Sequence, residues 1–121
     1  MQKIFYVGIG GFIGASLRYI ISMQSSKWFG TTLPYGTLIV NVLGGILLGL
    51  IMQISLTSNL INPNLKLFLT SGVLGGLTVF STFSYETITL FNDGSYFLAF
   101  LNTFLNLFLS FFGVIIGKYL A

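Results

Sequence analysis

Among the 121 residues of this chain there is no cysteine and no histidine. The first absence excludes disulfide and thiolate chemistry. The second removes the usual near-neutral proton shuttle and the commonest metal ligand. Acidic side chains are scarce as well: Glu86 and Asp93 are the only two. A hydrolase, a metal enzyme or a nucleic-acid binder needs groups that this chain does not have. No enzymatic activity, catalytic residue or nucleic-acid partner is therefore expected. Charged residues make up 6% of the chain and hydrophobic ones 55%, whereas about a quarter of a soluble domain is charged. Such a chain cannot cover a water-facing surface. It reads as an integral membrane protein, one transmembrane domain over residues 1–121, with the lipid bilayer as its solvent.

A membrane-spanning helix needs about 20 mostly apolar residues. Four segments meet that length: residues 4–23, 33–54, 65–91 and 96–120. The first follows Lys3 but has no cleavage site after it, so it is read as a mature span rather than a signal peptide. The fold class is all-α, with four transmembrane helices per subunit joined by short loops. Each span carries glycines four apart: Gly10/Gly14, Gly45/Gly49, Gly72/Gly76 and Gly113/Gly117. Small residues at that spacing let helix backbones approach closely in lipid. Trp28, Tyr19 and Tyr35 lie near span ends, where aromatic side chains anchor at the interface.

The third span is the unusual one. It contains GLTVFSTFSYE at residues 76–86, rich in hydroxyls and ending on a glutamate. Gly75 and Gly76 are poor helix formers, and Thr78 and Val79 are β-branched. The expectation is a helix broken mid-membrane, one half ending near Gly75 and the other starting near Phe80. Unwound backbone at that depth survives only when buried in protein or lining water. Phe80 and Phe83 share a face of the second half, and a ring edge carries partial positive charge. Elsewhere Asn41 lies in span two, and Asn102, Asn106 and Ser110 form one polar stripe along span four. Buried amides in a bilayer mark either a pathway or a helix contact. Neutral donors without a ring of carboxylates suit an anion better than a cation. Arg18 sits deep in span one, where it either snorkels or attracts anions at a vestibule. Glu86 would repel an anion if ionised and is read as a paired or hydrogen-bonding group.

GGFIGASLRY, GTLIVNVLGG and GLTVFSTFSYE together resemble the signature segments of the Fluc fluoride channels, also called CrcB proteins. The resemblance covers essentially the whole chain. It implies an antiparallel, dual-topology homodimer in the inner cell membrane, multi-pass, through which fluoride leaves the cell passively and its toxicity is relieved. It implies a pore on each side of the dimer interface. By motif, the fluoride pore residues would be Asn41, Phe80, Phe83 and Ser110, with Ser81 and Thr82 in the matching polar run and Asn106 as a substitute on the span-four track. That track departs from the family pattern at Phe104 and Val114, so it is expected to be short or to rely on Asn106. Arg18 and Glu86 match the family's arginine and glutamate at the vestibule or assembly surface. The resemblance also implies a structural sodium ion held at the dimer centre by the backbone carbonyls of Gly75 and Thr78.

The alternative is a small multidrug-type exporter coupling cation efflux to protons, which is also short and four-spanned. That mechanism depends on a carboxylate in the first span, and none is there. A non-transporting structural subunit would leave the polar stripe without a use. The flanking charges are also nearly balanced. Lys3, Lys66 and Lys118 fall on one side, Lys27 and the nearer Arg18 on the other, and the excess of basic loop residues is what orients a membrane protein. Insertion in both orientations is expected. Cysteines introduced next to Lys3 should be labelled by an impermeant reagent from both faces of the membrane; labelling from one face alone would refute dual insertion.

Overall fold

The computed structural model describes all residues, Met1–Ala121, and contains no strand. Helix α1 spans Gln2–Phe29 and α2 spans Tyr35–Thr57. Helix α3 covers residues 63–77, α4 Ser81–Asn92 and α5 Tyr96–Leu120. Helices α3 and α4 are the two halves of the third span, so four segments are long and apolar enough to cross a membrane. The first helix outruns the apolar run because nothing in QSSKWF stops it. It ends at Gly30, whose positive φ of 83° is a backbone conformation that favours glycine. Pro34 precedes α2 and Pro63 opens α3, where its missing N–H costs nothing. The Asn62 side chain caps α3 by accepting from the Leu65 amide at 2.8 Å. A second glycine with positive φ, Gly94, turns the chain from α4 into α5.

The four glycine pairs lie at two helix crossings. A Cβ at Gly10 would lie 2.6 Å from the Phe68 carbonyl oxygen, and one at Gly76 the same distance from that of Gly11. Gly14 and Gly72 are equally closed, by Val73 and Gly10. These residues form the crossing of α1 with α3. Between α2 and α5, Gly45 and Gly49 face the main chain at Ser110 and Val114, and Gly113 and Gly117 that at Val42 and Ile46. A Cβ on Gly45 would meet the Ser110 carbonyl oxygen at 2.9 Å, and one on Gly117 would strike that of Ile46. The crossings are therefore backbone on backbone, and dispersion between close main chains replaces a large side-chain core.

That core is correspondingly small. Buried apolar side chains are limited to Leu33, Val40, Leu74, Leu77, Phe83 and Ala99. Only 19 of 121 residues are buried within the subunit, so its apolar exterior has to be covered by lipid or by another subunit. Phe104 belongs to that exterior: it is exposed and stacks on Phe108 with centroids 4.8 Å apart.

The break in the third span is real, but it lies beyond the glycines. Gly75 is helical, with φ −62° and ψ −36°. The chain leaves the helix at Thr78, with φ −86° and ψ 151°, and re-enters at Ser81. The two glycines are thus not the interruption. Gly76 is there because α1 passes too closely for a side chain. Ahead of the break, Phe68–Leu74 forms a widened π-helical stretch. Such stretches are rare and concentrate at functional sites.

Candidate functional site

Residues 78–80 carry peptide groups that no helix pairs. Thr78 closes α3 by donating both its amide and its hydroxyl to the Leu74 carbonyl, each at 3.0 Å. The Val79 amide does not continue the pattern. It donates instead to Oδ1 of Asn41 at 2.9 Å, while Nδ2 of Asn41 donates to the Val79 carbonyl at 3.1 Å. The carboxamide of α2 pairs both faces of one peptide residue, much as a neighbouring strand would. Gly44, one turn beyond Asn41 on α2, leaves room for the Thr78 methyl.

The other Nδ2 hydrogen of Asn41 continues into α5. It is donated to Oδ1 of Asn106 at 3.0 Å. Asn106 donates to the carbonyl and Oδ1 of Asn102, at 2.9 and 3.0 Å. Asn102 donates to the Thr87 hydroxyl at 2.9 Å, and Thr87 donates to the Phe83 carbonyl at 2.8 Å. Apart from the return bond of Asn41 to the Val79 carbonyl, the bonds point the same way, from the Val79 amide to the Phe83 carbonyl. Aligned hydrogen bonds polarise and strengthen one another where water is excluded.

This chain of amides borders a groove of about 450 Å³. Asn41, Asn106, Ser110, Phe80 and Phe83 all line it, together with Gly75 and Thr78. The two rings stand edge to face, 5.7 Å apart and inclined at 60°. Phe83 is buried, whereas Phe80 is 73% exposed on the open side. The Ser110 hydroxyl oxygen is buried and has no hydrogen-bond partner. No ionisable side chain lines the groove.

Other expected residues fall elsewhere. Ser81 and Thr82 are exposed on the first turn of α4 and lie outside the groove lining. Glu86 lines a separate cleft of about 380 Å³ with Thr37, Tyr85 and Asp93, and one of its carboxylate oxygens is buried without a partner. Arg18 is half-buried on α1 and lines neither space. Asn106 is at the groove, but both of its N–H groups are turned to Asn102 and its oxygen faces Asn41. The roles of Asn102 as part of the polar stripe and of Thr87 were beyond a motif. The i, i+4 spacing of the asparagines signals a shared face, and nothing in the sequence marks Thr87 as its partner.

Fold and groove define a class: a small multi-pass membrane transport protein assembled around a broken helix, with an uncharged polar track. The chain belongs to the CrcB family. The family described as CrcB-like protein, Camphor Resistance (CrcB), matches residues 5–118. A protein of Clostridium perfringens (strain 13 / Type A) named fluoride-specific ion channel FluC is 55% identical over 124 residues, covering 100% of this chain and 97% of that protein. One of the same name from Clostridium novyi (strain NT) is 58% identical over 114 residues, 94% of this chain and 89% of its own length. Another, from Geobacter sp. (strain M21), is 46% identical over 102 residues, 84% and 82% of the two chains.

The Asn41–Val79 pairing should be a large part of what holds the break. Replacing Asn41 with alanine leaves two peptide groups unpaired, at about 1–3 kcal/mol each. The thermal midpoint of the detergent-solubilised protein should fall clearly. An unchanged midpoint in Asn41→Ala would refute the pairing.

Proposed function

We propose that the chain is the subunit of a passive, fluoride-selective channel that lets cytoplasmic fluoride leave the cell and relieves its toxicity. In a bacterium the membrane it occupies is the cell membrane. Its relatives are named as ion channels rather than as enzymes. The observation that carries the reading is the groove without an ionisable group. It offers an anion a carboxamide, a free hydroxyl and ring edges, and it offers a proton-coupled exporter no carboxylate to titrate.

Fluoride entering the groove has to exchange water for these groups. The Ser110 hydroxyl has no partner in the protein to give up, and a turn of its buried oxygen toward the groove would offer it to the ion. Asn41 is not, because both its N–H groups are taken. An ion reaches that donor by displacing Oδ1 of Asn106. Hydrogen bonds to an ionised acceptor are about twice as strong as neutral ones, so fluoride competes with the neutral amide oxygen for this donor. Chloride is larger and a poorer acceptor, so it gains less. The positive edges of Phe80 and Phe83 add a weaker attraction. Asn106 thus acts through Asn41, as the acceptor that fluoride replaces. Ser81 and Thr82 would serve at the mouth, beside the amide end of α4. Arg18 and Glu86 are assigned to the vestibule or assembly surface.

The working unit is an antiparallel homodimer with two pores. Gly75 and Phe80 lie on the open face of the subunit, where a second copy would cover them. The same face accommodates a sodium ion. The family resemblance implies main-chain oxygens as its ligands, those of Gly75 and Thr78. Because the Val79 amide is diverted to Asn41, the Gly75 carbonyl lacks its helical donor. It lies at the negative end of a helix and, with the Thr78 carbonyl, suits a hard cation. Bound there, the ion would supply positive charge that ties the two breaks together.

Two measurements test this reading. Liposomes carrying the purified protein should lose fluoride rapidly and retain chloride, with a potassium ionophore clamping the voltage. Phe80→Ile and Phe83→Ile should each slow fluoride loss at least tenfold while the dimer persists; full flux in both would remove the ring-edge contribution. Separately, prolonged exchange of sodium for choline should weaken the dimer, and unchanged assembly would refute the sodium site.

A further inference from the structure

Asn102 is the most deeply buried polar side chain in the protein, 1% exposed. It does not line the groove, so it cannot touch an ion passing along it. A carboxamide this deep in a membrane span is costly unless its hydrogen bonds are made. Its bonds go to a particular place. Oδ1 and the main-chain carbonyl of Asn102 together accept both N–H groups of Asn106. Nδ2 of Asn102 is tied to Thr87, whose own hydrogen goes to the Phe83 carbonyl.

We propose that Asn102 is a positioning residue for the pore: it fixes the Asn106 carboxamide with its oxygen toward Asn41. The direction of the amide chain leaves no alternative. The Val79 amide can only donate and the Phe83 carbonyl can only accept, so each carboxamide between them has one orientation that satisfies its neighbours. Asn102 transmits that orientation from the Phe83 end. Without it, Asn106 keeps only the main-chain carbonyl of residue 102 for its two N–H groups and is held less firmly. Its oxygen is then no longer fixed toward Asn41, whose second N–H, although Asn41 stays held at the break by Val79, loses the exchangeable acceptor that keeps it aimed at the groove. The inference rests on the groove being the fluoride path.

Asn102→Leu keeps a similar volume and deletes both bonds. In liposomes it should lower fluoride flux about tenfold, the scale expected for one lost buried hydrogen-bond partner. The decisive readout is a double-mutant cycle, because residues acting through one another are not additive. In an Asn106→Ser background, Asn102→Leu should lower flux no further. Full flux in Asn102→Leu, or losses that multiply in the double variant, would overturn the inference. Should Asn102→Leu not yield a monodisperse dimer, Thr87→Val removes the partner of the same amide at nearly equal volume. A flux loss that disappears in the Asn106→Ser background supports the role, and unchanged flux refutes it. Wild-type protein that carries no fluoride would instead defeat the channel reading itself, so the two failures are distinguishable.

Discussion

A single carboxamide standing in for backbone is the constraint on which the rest depends. Breaking a helix inside a bilayer exposes peptide groups that water cannot reach. Asn41 resolves this at Val79 with one donor and one acceptor, and its remaining hydrogen commits it to Asn106. Three spans are thereby held in register by one side chain. The groove owes its position to the same contact, since Asn41 and Val79 both form its wall.

The glycine crossings make that contact possible. Bringing α2 and α5 together at Gly45, Gly49, Gly113 and Gly117 removes the distance that side chains would impose. Asn41 and Asn106 then lie within hydrogen-bond reach although they are 65 residues apart in sequence. Close main-chain packing in one pair of helices thus sets up the polar chemistry between them. The pairing of α1 with α3 does the corresponding work for the first half of the broken span. Most apolar side chains are left pointing outward, which suits a solvent of lipid and an adjoining subunit.

Much of this is legible in the sequence because membranes constrain it strongly. Run length alone defines the four spans, and the glycine spacing marks the faces that cross. The asparagine stripe is visible at i, i+4 and i+8 because a helix places those positions together. The location of the break is less visible. Gly75 and Gly76 look like the interruption, yet they are helical and serve the approach of α1. What ends α3 is a tertiary contact from Asn41, and local composition cannot encode a partner 38 residues away. The π-helical stretch before it has no residue pattern of its own. Likewise Ser81 and Thr82 belong to a hydroxyl-rich motif, but their place outside the groove depends on the phase at which α4 restarts.

The ring of hydrogen bonds leaves the third span at Val79 and returns to it at Phe83. It therefore encircles the point where α4 begins, with α2 and α5 as its outer supports. An interrupted helix usually suggests a joint about which the halves swing. Here swinging would have to break the links that the interruption and α4 make to the neighbouring spans, at Asn41 and at Asn102. The interruption is a brace, and the residues beside it are held still for an ion to move past them.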